Sequence, residues 1–252
     1  MYYCEYLPQP NLAPYVACLW AARAPVSAHT HRVLPDNCVD ILWQDDGRQG
    51  FAVGMMSSSI LVASARPVRT LAVRFQPGMA GMFLEAPLQV LTDQRTDIDL
   101  LWSRSDADRL AEALWTSDAP DRALLAIIER ALLHRLQDGG TPSGVALARH
   151  AVALLEGRGG AVRVEALSAQ LGVSRQHLAA QFRQHVGLSP KLFARICRFR
   201  LATAAIRAER APDWAQLALE CGYFDQSHLI HDFQELAGST PERFHFSNHN
   251  VA

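Results

Sequence analysis

The last hundred residues of the chain contain one pattern of residues twice. In the first copy Gly172 leads into Leu178 and Phe182, and in the second Gly222 leads into Leu229 and Phe233. The copies are offset by 50 residues at the glycine and by 51 residues after it. A helix, a glycine turn and a second helix with an apolar inner face form the signature of a helix-turn-helix unit. Two units, at residues 164–185 and 214–235, predict two recognition helices that read neighbouring segments of a DNA major groove.

The outer faces of the two recognition helices carry the candidate DNA contacts. Arginine can bond guanine, glutamine can pair with adenine, and a small apolar side chain can contact a thymine methyl. A basic residue further along the helix, such as Arg183, is expected to contact phosphate. The predicted DNA-binding residues are Arg175, Gln176, Ala179, Ala180 and Arg183 in the first unit, and Gln226, Ser227, His228, Ile230 and His231 in the second.

Four segments in this region resemble the DNA-binding domain of the AraC/XylS family. They are residues 171–178, 187–190, 221–229 and 238–241, in fixed order and at fixed spacing. The resemblance implies a bilobed all-helical domain, sequence-specific control of transcription, usually activation, and RNA polymerase as a partner. Ala180 stands where the family commonly has arginine, and Ile230-His231 stands where it often has Ser-Arg. We therefore expect an operator unlike those of common relatives, and a modest affinity.

The charge distribution agrees with a nucleic-acid partner for the C-terminal part. The net charge is only −1, but residues 1–144 hold 12 Lys/Arg against 16 Asp/Glu, and residues 145–252 hold 12 against 9. Residues 175–210 contain eight basic residues and one acidic residue, Glu209. Taken with the repeat, this pattern predicts a basic stripe facing double-stranded DNA.

The first hundred residues are predicted to form short strands, separated by Gly, Pro and Ser, in a small β-barrel or cupin-like domain. The whole chain is therefore predicted to be α+β. We place an effector-binding or dimerisation domain at 1–138, a linker at 139–144 and the helical DNA-binding domain at 145–252. The predicted strands are 38–43, 51–53, 60–63 and 70–75, followed by helices at 106–115 and 120–136. The apolar face of the 120–136 helix either packs on the barrel or forms a contact in a homodimer.

The N-terminal domain resembles one group of effector-binding domains in the same family, through residues 34–43 and 73–78, with 97–102 downstream. Aromatic side chains and one arginine on its strands are the candidate contacts to a small-molecule effector. Their alternative role is to fill the barrel, as small barrels require. These weak candidates are Trp20, Trp43, Phe51, Arg74 and Phe75.

A loose group of metal-ligand types lies at His29, His31, Asp36, Cys38 and Asp40. We favour a hydrogen-bonded structural motif around Pro35-Asp36, with the two histidines in a loop, and therefore predict neither a metal nor a cofactor. The five cysteines show no paired spacing, which is typical of a reducing compartment. No stretch of about 18 apolar residues exists, so we expect a cytoplasmic protein that does not span a membrane.

Three functions remain open. The leading hypothesis is a regulator in which an effector changes how the C-terminal domain engages DNA. A second is a barrel enzyme or thiol sensor, such as a methyl-accepting cysteine, joined to a DNA reader. A third is a constitutive DNA-binding dimer. Because the sequence offers no Ser-His-Asp set, phosphate loop or firm metal set, we predict that the chain is not an enzyme.

Overall fold

The computed structural model describes residues 2–25, 27–45, 49–116, 118–138, 144–208 and 211–249. Antiparallel strands dominate the first hundred residues. They form a six-stranded sheet in the order β1-β2-β7-β4-β5-β8 and a two-stranded sheet of β3 and β6. Their bounds are β1 Tyr2–Tyr6, β2 Val16–Ala24, β3 Ser27–Val33, β4 Asp40–Gln44, β5 Phe51–Val53, β6 Ile60–Ser64, β7 Val68–Phe75 and β8 Arg95–Asp97.

The predicted α+β class is confirmed, but the prediction that His29 and His31 lie in a loop is wrong. Both residues belong to β3, which pairs with β6. The sequence of β3 lacks alternation because most of the described side chains in this small sheet, among them His31, Arg32, Leu61 and Val62, are exposed, and only Val33 at the end of β3 is half-buried among them. Without a buried face, a strand has no apolar period to detect.

The core of the N-terminal domain lies on the inner face of the large sheet. Alternate residues of β4 and β7 point to this face and are fully buried, namely Ile41 and Trp43 in β4 and Val73 and Phe75 in β7. Two helices, α1 Arg104–Trp115 and α2 Asp121–Asp138, complete the domain. The apolar side of α2 is buried through Leu124, Leu125, Ile128 and Leu132, and α2 contacts β2 and β7. This face is therefore used for packing within the chain.

The remainder of the described chain is helical. The helices are α3 Val145–Gly157, α4 Val164–Gln170, α5 Arg175–Val186, α6 Pro190–Ala208, α7 Trp214–Glu220, α8 Gln226–Ala237 and α9 Pro241–His249. Residues 139–143 of the predicted linker lie outside the described residues, and Gly144, with φ of 90°, precedes α3. Among the described helices, none combines the length and the apolar character that crossing a membrane requires.

Candidate nucleic-acid interface

The turn between the first and second helix of each unit has the same geometry in both copies. The amide of Gly172 donates to the carbonyl of Ala169 at 3.2 Å, and that of Val173 donates to Ser168 at 3.1 Å. The equivalent bonds in the second unit run from Gly222 to Leu219 at 3.0 Å and from Tyr223 to Ala218 at 2.9 Å. Both glycines have positive φ, 67° and 79°, which glycine adopts without strain. The repeat in the sequence is thus a repeat in the backbone.

Each recognition helix also begins and ends in the same way. The hydroxyl of Ser174 accepts a hydrogen bond from the amide of His177, and the carboxylate of Asp225 accepts one from His228. These caps satisfy amides that have no partner within the helix. Gly187 and Gly238, both with positive φ, end α5 and α8. Capping residues 51 positions apart therefore begin the two recognition helices in the same way.

The inner faces of α5 and α8 are held by aromatic packing. Leu178 and Phe182 in α5, and Leu229 and Phe233 in α8, are fully buried. Phe182 packs edge-on against Phe193 of α6 at 5.4 Å between ring centroids. Phe233 packs against Phe199 of the same α6 at 4.8 Å. The long helix α6 therefore supports both units, and the burial of one face leaves the opposite face of each recognition helix outward.

On α5, most of the predicted contacts do lie on the exposed side. Gln176, Ala180 and Arg183 are exposed there, whereas Ala179 is half-buried at the edge of the face. Arg175 is also exposed, and its guanidinium lies 3.1 Å from a carboxylate oxygen of Glu165 in α4. Both partners are largely in water, so this ion pair is weak and easily exchanged for a phosphate. Two exposed residues on this side were missed from the sequence, namely His177 and Gln184.

On α8 the predicted contacts divide into two groups. Gln226, Ser227 and His231 are exposed. His228 is half-buried, packs edge-on against Tyr223 at 5.2 Å and accepts the amide of Phe224, so its ring serves the turn. Ile230 is half-buried and, with Gln226, lines a pocket of about 120 Å³; its other lining residues are Trp214, Leu229, Thr240, Pro241 and Glu242.

Two further exposed residues beside α8 were not singled out in the sequence. Gln234 lies one turn after Ile230 on the exposed side of α8. Phe224 is the extra residue that changes the offset of the repeat from 50 to 51, and it is 84% exposed. The change of offset was visible in the sequence. The exposure of the Phe224 ring to solvent just before α8 was not.

The basic stripe predicted in residues 175–210 is only partly available to a ligand. Arg195 donates to the buried carboxylate of Asp232 at 2.7 and 3.0 Å and also bonds Glu235. Arg198 donates to the carbonyl of Gly160 at 2.8 Å and lies over the ring of Tyr223. Arg195 thus holds α6 to the second unit, whereas Arg198 joins α6 both to the turn after α3 and to the second unit. The exposed cations in this range include Arg175, Arg183, Lys191, Arg200 and Arg207.

The candidate effector residues do not come together. Trp43 and Phe75 are fully buried on the inner face of the large sheet, where Phe75 stacks on Phe83 at 5.1 Å. Phe51 is buried as well, beneath the guanidinium of Arg95. Trp20 and Arg74 lie on the opposite face, and so does Phe51, because it pairs with Leu42 on that face. These five residues therefore cannot line one pocket, and the inner members fill the core.

Arg74 forms ion pairs with Asp36 and Asp40, two of the residues in the loose group of metal-ligand types. Its guanidinium lies 3.1 Å from Asp40 and 3.4 Å from Asp36, and Trp20 also donates to Asp40. Burial raises the pKa of Asp40 to about 6, although the Arg74 ion pair lowers it. Asp36 accepts the amide of Cys38 at 3.0 Å, which forms the structural turn expected around Pro35-Asp36.

Within the described residues, His231, Asp232 and Glu235 bring three ligand-type atoms within 4.8 Å of one another. Both carboxylates already bond the guanidinium of Arg195. A metal ion at this position would have to displace that cation, so the group is better explained as an ion-pair network.

Comparisons with known families agree with this geometry. Residues 167–245 match a family model described as a helix-turn-helix domain. Residues 4–97 match a second model, described as a domain of unknown function (DUF6597). No curated protein matches the chain.

Several solved structures are similar to the chain at low identity. The C-terminal domain of AraT, a response regulator from Geobacillus stearothermophilus, is 20% identical over 40% of this chain and 84% of its own, with a TM-score of 0.38. ToxT from Vibrio cholerae O395 is 11% identical over 92% of this chain and 97% of its own, with a TM-score of 0.47. These values are too low to carry an inference alone, so the assignment rests on the matched family model and the duplicated geometry. Residues 167–245 therefore form a helix-turn-helix domain of the AraC type, a kind of domain that binds DNA in transcription regulators.

Proposed function

We propose that this regulator reads DNA through α5 and α8 together, each in one of two successive segments of the major groove. The observation that carries the proposal is the duplicated geometry of turn, cap and inner face, which presents both outer faces in the same way. Two units on one rigid helix favour two blocks of sequence about one helical turn apart.

The two recognition helices differ in charge, and we expect them to contribute differently. The exposed side of α5 carries Arg175 and Arg183, which suit phosphate contacts on either side of Gln176. Helix α8 contains neither lysine nor arginine and exposes Glu235 near His231. Because affinity comes largely from phosphate contacts, α5 is expected to provide most of the salt-dependent binding. Helix α8 is expected to contribute mainly sequence preference, through Ser227, His231 and Gln234.

Effector responsiveness is part of the same proposal. The N-terminal domain touches the recognition helices near their C-terminal ends, where Thr92 bonds Gly187 and Arg32 bonds Ala237, while residues such as Gln176 remain exposed. A small molecule that binds one arrangement of the N-terminal domain more tightly than another would therefore shift DNA engagement.

The test is selection of duplexes from a random DNA pool by the full-length chain at near-physiological salt. We expect a motif with two blocks about one turn apart. Arg183→Ala should weaken binding to the selected duplex uniformly and lower the salt slope by about one. His231→Ala should instead relax preference at one position of one block. Arg122→Ala, an exposed charge change on α2, is the matched control and should change neither property.

A motif with a single block would show that only one unit reads bases and would contradict the proposal. Equal effects of Arg183→Ala and His231→Ala on the salt slope would contradict the division of labour between α5 and α8.

A further inference from the structure

The N-terminal domain holds the C-terminal end of each recognition helix. At α5, the hydroxyl of Thr92 donates to the carbonyl of Gly187 at 2.8 Å. At α8, the amide of Ser59 donates to the carbonyl of Leu236 at 2.8 Å, and the guanidinium of Arg32 donates to that of Ala237. The last carbonyls of a helix have no partner within it, and a cation is favourable there. The N-terminal domain therefore bonds backbone groups of both units.

A third contact reaches the helix between the two units. Asn37 is completely buried, and its side-chain amide donates to the carbonyl of Phe193 at 3.2 Å and to the sulfur of Cys197 at 3.4 Å, both in α6. Asn37 has φ of 65°, a left-handed conformation that is uncommon outside glycine. The turn closed by Asp36 and Cys38 holds it there. The 34–43 segment thus anchors α6 through Asn37.

Close backbone contacts accompany these bonds on the side of the first unit. A Cβ atom added at Gly187 would lie 3.1 Å from the carbonyl oxygen of Leu88, and one added at Gly78 would lie 3.4 Å from Val186. Val186 and Leu188 are buried at this junction. The domains therefore meet by packing as well as by single hydrogen bonds, which makes their relative position well defined.

We propose that Arg32, Asn37 and Thr92 are positioning residues that fix the distance and angle between the two recognition helices, and so set the spacing at which the chain reads its two DNA blocks. The inference rests on the proposed function, since it requires both units to read bases. One base pair added between the blocks moves one of them by about 3.4 Å and turns it by roughly 35°. A clamp that contacts the end of α5, the first half of α6 and the end of α8 resists such a displacement.

The experiment uses the full-length chain and the duplex recovered from the random pool, with the spacer between its blocks changed by −1, 0, +1 and +2 base pairs. The unchanged chain is expected to prefer one spacing by about tenfold or more. The double variant Arg32→Ala/Thr92→Val should bind each single-block duplex as before, but its spacing preference should fall to about threefold or less. Adding Asn37→Gly, which tolerates the positive φ, should reduce the preference further.

Arg122→Ala is the control and should retain the full preference; thermal unfolding verifies that each variant is folded. A double variant that keeps its spacing preference overturns the inference, and so does equal loss of affinity at every spacing and on single blocks. If the original chain recovers no two-block duplex, the proposed function and the inference are both overturned. If the original chain does recover one and the double variant keeps the same spacing preference, only the inference is overturned.

Discussion

Replacement of Asp232 by alanine tests what holds the second recognition helix against α6. The side chain of Asp232 is 1% exposed, and one carboxylate oxygen accepts two hydrogen bonds from Arg195, at 2.7 and 3.0 Å. Its other oxygen lies 4.0 Å from Arg198. The carboxylate therefore faces two guanidinium groups, and its removal leaves their charge without its buried partner.

The expected loss in the free energy of unfolding follows from the burial of the two partners, since Asp232 is buried and Arg195 is partly exposed. Removal of one partner from a buried ion pair costs about 3–5 kcal/mol. Arg195 is 23% exposed and keeps its bond to Glu235, so we expect about 2–3 kcal/mol for Asp232→Ala. Asp232→Asn keeps the accepting oxygen but loses the charge, and should cost about 1–2 kcal/mol. Glu235→Ala removes an exposed partner of the same guanidinium and should change stability little.

The assay is denaturant unfolding of the full-length chain at neutral pH, followed by circular dichroism and tryptophan fluorescence together. Coincident transitions with an unchanged slope allow the midpoints to be compared as free energies. The rank order Asp232→Ala, then Asp232→Asn, then Glu235→Ala is the result that matters. Equal costs for Asp232→Ala and Glu235→Ala, or a cost below about 0.5 kcal/mol for the former, would refute the buried-charge reasoning.

Three other predictions use the same purified chain. Phe224→Ala should leave the unfolding midpoint unchanged because the ring is in solvent, yet weaken binding to the selected duplex several-fold in fluorescence anisotropy; equal affinity would remove Phe224 from the interface. Burial raises the pKa of Cys18 and Cys197 to about 11, so only ~0.1% of either thiol is ionised at pH 8, and labelling by a disulfide reagent should stay slow until the pH is raised or urea is added; rapid labelling of either at pH 8 contradicts this and favours a sensing thiol. Gly172→Ala should cost about 1–2 kcal/mol from its positive φ alone, since nothing surrounds it, whereas Gly160→Ala should cost more because its Cβ would lie 2.0 Å from a carbonyl oxygen; equal unfolding midpoints would contradict the steric argument.

The helical half of the fold was predictable because its signals are local. Ser174 and Asp225 cap helices within three residues of themselves, and the positive φ of Gly172 and Gly222 ends the preceding helix within the turn. Such interactions need no distant partner, so helix ends followed from the sequence to within one to three residues. The inner faces followed as well, since leucine and phenylalanine four residues apart must share a side.

The strands were less predictable because the alternation of apolar and polar residues appears only where one face of a strand is buried by the rest of the protein. The 51–53 strand, with its buried Phe51, matched the prediction, but β1 and β2 were not predicted, and β3 was taken for a loop. Helix α2 could be assigned from its period, whereas the choice between packing and a contact between chains required the position of the sheet.

The sequence by itself determined that this chain has two helix-turn-helix units, where each recognition helix begins, and that a strand-rich domain precedes them. The tertiary structure alone decided which charged side chains form ion pairs within the molecule, because Arg195 and Asp232 are 37 residues apart in the chain. It also decided that Trp43 faces the core while Arg74 faces away from it, and that Asn37 reaches α6 across 156 residues. Capping and periodicity act between neighbours along the chain, whereas ion pairs and domain contacts depend on distances in space that no local pattern encodes.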